Sequence, residues 1–535
     1  MPKLPPHERF PFKCPLLTSW LALAVFLLPL NTSFSQAVSA LAPATPNTQE
    51  TRTPSLTLSI QEAIALALQN NLNVAIERIN PDISRTNIGI ADGAYDPRAA
   101  LDLQYGERST PRSSEQQAAD GRASTNSRNS RASVGLTQKT PLGTEVGLQA
   151  RTNNSENTFN NFRNEFNSSA GLTITQPLLK DAGTNINLAA RRIAIKGVQS
   201  ADDTFYNMVE GIILDVLKNY HELLFSVADA DSKRYSLVLA EQLVVDNQSR
   251  VDLGTATPLD VSQAQSESAT RFGQVLDADL AIYQNANQLK RLVSRDISSL
   301  LNTQLRLTDA LTNPALNPDP IYSAATGLEN RRDYRSQLRL AEQDNIQLTY
   351  DKNQLLPTVD LLASLGYNGL DTSFRRSFNN VADTRDDDWA VGLSVQIPLG
   401  STTERARRDA TQLRKEQRIL RIKDLEQSII VEVNNAARSV TINKQKVDTS
   451  RSARIFAEKN TLAEADKLKA GISTSYTVLQ LQRDATTART QELRALVNYQ
   501  NAMADLLKAQ GTLLAEYKID LPGQTSSINL PKKVK

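Results

Sequence analysis

The sequence predicts an α+β membrane protein, built from two internal repeats, whose strands enter the membrane and whose long helices do not. Three observations carry that prediction. The stretch Arg250–Gln265 (RVDLGTATPLDVSQAQ) recurs as Lys467–Gln482 (KLKAGISTSYTVLQLQ) at a constant offset of 217. Two helical patterns without proline, 184–252 and 400–469, lead into those two copies. Runs of period-two alternation precede each pattern, while no stretch past the N-terminus reaches the ~18 apolar residues of a membrane-spanning helix.

The twin stretches are helix–turn–helix tips. In each a glycine and small hydroxyl residues interrupt a helical pattern; glycine leaves a helix easily, and Pro258 suits the first turn of the next one. The apolar residues of the long patterns fall three or four apart, as in Phe205, Met208, Ile212, Val216, Tyr220 or Leu425, Ile429, Val433, Ala436, Val440. At the α-helical rise each pattern is roughly 100 Å long, each returning helix (258–300 and 475–515) about 65 Å, and each helix before a first strand (59–90 and 325–355) about 45 Å. Two short helices stacked end to end therefore match one long one.

Composition narrows the class. The 535 residues carry 60 basic and 58 acidic groups, a net charge of +2, so no bulk field argues for nucleic acid. Aromatics are only 5%, thin for a globular core but natural for helices packed through Ala, Leu, Val and Gln. Lys3, Arg9 and Lys13 precede an apolar run from Leu16 to Leu30 and small residues ending at Ala37 or Ala40, the pattern of an export signal. The run is short for a membrane anchor, which needs ~20 residues. Cys14, the one cysteine, precedes that run, so neither a lipid attachment site nor a disulfide is expected.

In chain order, 1–40 is the signal peptide and 41–57 a disordered, Pro/Thr-rich segment. The first repeat spans 58–310, the second 311–515, and 516–535 is a tail. Ser59 and Glu62 form a capping box for the first helix, and Pro81 should break or kink the helical pattern beyond it. Strands are expected at 99–106, 132–138, 144–151 and 169–176, then at 358–367 and 388–397, with polar loops between; the tips fall at 250–260 and 467–477. Leu328-Glu-Asn330 matches Leu68-Gln-Asn70 at offset 260, but Pro398-Leu399 matches Pro177-Leu178 at 221. The 39-residue difference is an extra hairpin, 132–150, in the first repeat.

Strands of this length with one apolar face fit a transmembrane β-barrel, and a half-buried soluble sheet is the alternative. One chain has too few strands to close a barrel, and open edges cannot face lipid, so copies must share it. The segments LSIQEAIALALQNN, SAGLTITQPLL, RVDLGTATPLDVSQAQ, QLLPTVDLLASLGY and WAVGLSVQIPLG, in this order and duplicated, resemble the TolC-like outer-membrane efflux protein family over residues 58–515. The resemblance implies a homotrimer: a shared outer-membrane β-barrel, four to six strands per subunit, continued by an α-helical coiled-coil barrel across the periplasm. It implies a passive exit duct of a tripartite efflux or type I secretion system, with a periplasmic adaptor, an inner-membrane transporter and outer-membrane lipid as partners, and no cofactor. The family barrel has twelve strands; the extra hairpin makes it eighteen or lies outside it.

The resemblance also places a gate at the tips. The family's network aspartate matches Asp260; its two constriction aspartates fall on Thr477 and Gln480, and its network arginine and tyrosine on Ser473 and Leu468. Only Asp260 is retained, which implies a polar constriction rather than a charged one. Asp260 could instead cap the helix begun by Pro258. The turns holding Gly254, Thr255 and Ala256, and Gly471, Ile472 and Ser473, are the expected adaptor contact.

Other features weigh less. His221 reads as a packing residue rather than a ligand. Asp386, Asp387 and Asp388 could bind a cation or simply be solvated. Arg405, Arg407, Arg408, Arg414, Lys415 and Arg418 form a helix face that could meet lipid headgroups. No phosphate loop or nucleophile constellation suggests an enzyme. The competing function is a periplasmic coiled-coil structural or adaptor protein, but no compact lipoyl-like domain accompanies the helices.

Overall fold

A computed structural model describes residues 55–383 and 386–519. The expected signal peptide, most of 41–57 and most of the tail lie outside the described residues. β1 (Ser55–Leu58) leads into α1 (Ile60–Asn70) and α2 (Leu72–Asp92). Next come β2 (Arg98–Pro111), α3 (Ser114–Asp120), β3 (Ser124–Lys139), β4 (Glu145–Asn157) and β5 (Phe166–Pro177). The short α4 (Thr184–Asn187), the long α5 (Ala189–Asp252) and the returning α6 (Pro258–Val293) close the first half, succeeded by β6 (Gln304–Leu307). The second half runs α7 (Pro320–Asn330), α8 (Arg332–Asn353), β7 (Thr358–Asp371), α9 (Phe374–Ala382), β8 (Asp387–Gln396), α10 (Thr402–Lys469), α11 (Ser475–Ala509) and α12 (Leu513–Glu516).

Ser59 and Glu62 do cap α1 reciprocally. The expected break at Pro81 does not occur: Pro81 lies inside α2, buried, and the chain breaks instead at Asn71. Asn71 is extended (φ −64°, ψ 125°), caps α2 through Asn73, and donates to the Leu292 carbonyl at 3.0 Å. Asn70 donates to Val293 at 3.2 Å. Docking on the end of α6 thus decides where the helix divides, outweighing the single backbone bond that proline forfeits. α7 and α8 divide in the same way at Arg331 (φ −59°, ψ 128°), against the end of α11. There Gly511 has φ +66°, and an added Cβ would lie 3.0 Å from the Arg331 nitrogen. Both returning helices stop short of expectation, at Val293 and Ala509.

Six strands form one antiparallel sheet in the order β2-β3-β4-β5-β7-β8, so the extra hairpin β3–β4 is hydrogen-bonded into the sheet rather than outside it. Register puts Ala99, Leu136, Leu148, Leu172, Leu365 and Trp389 in one row across all six. The next row, on the opposite face, is Arg98, Thr137, Gly147, Thr173, Ser364 and Ala390. One face is therefore apolar and the other polar. The strands run on into stretches read from sequence as loops: β2 and β3 stay paired out to Pro111–Ser124. Side chains there are polar on both faces, so the ladder persists after the alternation has ended. Asp387 likewise opens β8 one residue ahead of the expected strand. β2 and β8 each pair along one edge only.

α5 packs against α6 over its tip half and against α2 and α8 over its sheet half, while α10 packs against α11, α7 and α8. The largest apolar cluster surrounds Val209–Leu223 of α5 with Leu58, Ile64, Leu289 and Leu513. A second surrounds Ile429–Val447 of α10 with Tyr499 and Leu506. Residues 55–57, expected to be disordered, belong to β1, which pairs in parallel with β6. The buried Tyr220 hydroxyl, with one proton to give, lies 2.7 Å from the Asp309 carboxylate and 2.9 Å from the Leu58 carbonyl, and Ile60 N–H donates to the same carboxylate at 2.8 Å. No helix among the described residues is long and apolar enough to cross a membrane.

Candidate functional site: the two helix tips

The ends of α5 and α10 are closed by the same device. Gly254 N–H donates to Val251 O (2.9 Å) and Thr255 N–H to Arg250 O (2.8 Å); Gly471 donates to Leu468 O (3.1 Å) and Ile472 to Lys467 O (3.0 Å). These paired bonds need a left-handed residue, and Gly254 and Gly471 have φ of +71° and +79°. Nothing crowds either glycine, so backbone conformation rather than space requires them.

The returning helices start with equivalent caps. Asp260 accepts from its own helix's Thr257, from the backbone N–H at 2.9 Å and the hydroxyl at 2.7 Å. Those bonds hold its carboxyl below the usual carboxylate range. Thr477, at the matching position of α11, donates its N–H to Thr474 Oγ1 (3.3 Å), and their hydroxyls lie 2.9 Å apart. Asp260 and Thr477 are thus both occupied in capping, and neither reaches the opposite hairpin. Ser473 donates to Glu464 at 2.6 Å within its own hairpin. Gln480 is exposed, as are Thr255, Gly254, Gly471 and Ile472, while Ala256 and Ser473 are half-buried.

The bonds that join the tips come from residues the sequence reading passed over. Asn247 of α5, fully buried, donates to the Asp260 carbonyl (3.1 Å) and accepts from Ser475 of α11 (2.8 Å). Arg271 of α6 is 2% exposed. It donates to Ser236 O of α5 (2.9 Å), to Leu479 O (3.3 Å) and Gln482 (3.1 Å) of α11, and to Glu267 (3.0 Å). Burial pulls its guanidinium down from its ordinary value, opposed by Glu267. Between these two ties lies a small apolar cluster, Leu243, Leu468, Val478 and Leu479.

Farther from the tips the α5–α11 seam continues as polar ties. Thr486 donates to Ser236 (3.1 Å), Thr490 to Asp229 (2.6 Å), Arg494 to Glu222 (2.7 Å), and His221 Nδ1 shares a 2.9 Å bond with Asn501. His221 is buried, and that burial lowers its pKa. No cluster of metal-ligating side chains occurs among the described residues. The arrangement can hold two hairpins together without bond chemistry. One signal was available: Asn247 and Arg271 occupy apolar-stripe positions, spaced four from Leu243 and Val275.

Residues 326–512 match the family model described as outer membrane efflux protein. No curated protein matches by sequence. Among solved structures the chain is similar to the CmeC outer membrane channel of Campylobacter jejuni, at 14% identity over 85% of this chain and 86% of that one, TM-score 0.62. It is similar to the VceC outer membrane protein of Vibrio cholerae at 16% identity over 84% and 96%, TM-score 0.59. It is also similar to the open state of the MtrE outer membrane channel of Neisseria gonorrhoeae, at 16% identity over 85% and 89%, TM-score 0.60. At such identities the likeness is one of fold; the family resemblance read from sequence agrees with it.

Proposed function

We infer that this chain, which carries the outer membrane efflux protein domain over residues 326–512, is the outer-membrane exit duct of a tripartite efflux or type I secretion system. It lies in the outer membrane, extends into the periplasm, and is a channel rather than an enzyme. The observation that carries the reading is the six-stranded sheet: one apolar face, one polar face, and two unpaired edges. In lipid each unpaired backbone group costs several kcal/mol, so an open sheet is stable there only when neighbouring copies complete it. β2 of one copy and β8 of the next are the edges available. A homotrimer would then enclose eighteen strands, with the polar face lining water.

The same copies would line up α5, α6, α10 and α11 around a periplasmic conduit whose open end is the pair of tips. Gly254–Ala256 and Gly471–Ser473 would meet a periplasmic adaptor, which couples the duct to an inner-membrane transporter. Thr477 and Gln480 would form its narrowest ring. A trimeric mass in detergent supports the reading, and a monomer in the soluble fraction refutes it. In planar bilayers, Thr477→Arg or Gln480→Arg should lower conductance. Unchanged conductance would remove those residues from the constriction.

A further inference from the structure

The segment joining β7 to β8 need only turn the chain round, yet it folds back as α9 along the apolar face of the sheet. Phe374 packs edge-on against Phe166 of β5 with ring centroids 6.2 Å apart. One turn on, the buried Ser377 hydroxyl lies 2.8 Å from Ser168 Oγ and 2.9 Å from the Gly369 carbonyl. A Cβ on Gly369 would lie 2.2 Å from Ser377 O, so this glycine is what admits the helix. Ser168 and Gly369 are the row next to Ala170–Tyr367 on the same face, so α9 begins where the apolar rows end.

From Ile397, two residues past the Val359–Val395 pair, up to Tyr367 the apolar face is about ten residues tall. At ~3.3 Å per residue and ~40° tilt this is ~25 Å, one hydrocarbon thickness. A helix immediately beyond that limit, on that face, stands at headgroup depth. Its composition suits the position. Phe374 and Phe378 remain 51% and 42% exposed although they flank the buried Ser377 and Val381. Arg375 and Arg376 are exposed on the far side, Arg376 within 3.1 Å of Asp371. Phenylalanines beside arginines whose stems can snorkel are the chemistry of an interfacial helix.

We propose that α9 is an interfacial anchor, docking through Phe374 and Phe378 into the headgroup layer of the outer leaflet. The proposal rests on the outer-membrane reading above. It is tested with the full chain reconstituted in phosphatidylcholine vesicles carrying bromine at shallow or deep acyl positions. Trp389, in the apolar row, reports the barrel; Phe378→Trp with Trp389→Phe reports α9, and Trp389→Phe alone is the blank. Trp389, one apolar row below Tyr367, should be quenched by both, and the ratio of shallow to deep quenching should be higher for the tryptophan at 378 than for Trp389. If Trp389 is quenched and the 378 reporter is untouched at every depth, α9 lies in water or against protein and the proposal falls. If Trp389 itself escapes quenching, the membrane reading falls with it.

Discussion

The belt around the middle of α5 and α10 and the tips at their far ends are held together by different forces. At the belt, nineteen buried apolar residues form the larger cluster and eleven the second. At the tips the corresponding cluster has four, and the remaining ties are single hydrogen bonds from Asn247 and Arg271. A buried Leu or Val contributes ~1.5–3 kcal/mol and a hydrogen bond net ~0.5–1.5 kcal/mol. Separating the tips therefore costs a small fraction of unfolding the belt. Dispersion and hydrocarbon burial fix one end of each hairpin, while short-range polar bonds, lost in one step, fasten the other.

The largest test of this contrast is cavity formation. Leu217→Ala, at a fully buried belt position, should cost ~2–5 kcal/mol in denaturant unfolding. Leu468→Ala, at the tip and 9% exposed, should cost clearly less. Equal costs would erase the distinction.

Acidity should act on the belt next. Burial pushes the Glu210 carboxyl up to about 7 from its ordinary 4.5. The folded state then holds a proton that the unfolded chain gives up, so the stability contributed at Glu210 is fully present below about pH 4.5 and falls until about pH 7. The fall should be on the order of 3 kcal/mol, and Glu210→Gln should flatten it in melting curves taken across that range.

Arg271→Leu removes the donor to two buried carbonyls, Ser236 and Leu479. A loss of ~1–3 kcal/mol is expected, expressed as higher resting conductance rather than as loss of the folded belt. Asn247→Ala, Ser475→Ala and the double variant should show a coupling of ~0.5–1.5 kcal/mol, read from hydrogen exchange at the tips. Gly254→Ala and Gly471→Ala should each cost ~1 kcal/mol by straining a left-handed residue, with faster exchange confined to the last turn of α5 or α10.

What the sequence disclosed was whatever is governed by local chemistry. Gly254, Gly471, Pro258 and the Ser59–Glu62 pair act within a turn or two, and their roles are visible without a partner. So is the apolar face of β2, β5, β7 and β8, because alternation is a property of one strand. The break at Asn71 was not legible, since it depends on the end of α6 more than two hundred residues away. The polar extensions of β2 and β3 were missed because a ladder bonds through backbone and leaves no mark in side-chain polarity. α9 was missed because nine residues are too few for a period to stand out between two strands. At the two helix ends the turns were legible and the bonds between hairpins were not: family resemblance drew attention to Asp260, whereas the cross-hairpin bonds belong to Asn247, Arg271 and Ser475.

The parallel pairing of β1 with β6 sets an order of assembly. In a chain made from its N-terminus, Ser55–Leu58 has no strand to lie beside until Gln304–Leu307 exists, and no Asp309 to hold Ile60 and Tyr220. The first described strand is thus among the last to settle, like a keystone set after both sides of an arch are standing. Tension applied at the N-terminus would pull out that stone first, leaving the hairpins below it undisturbed.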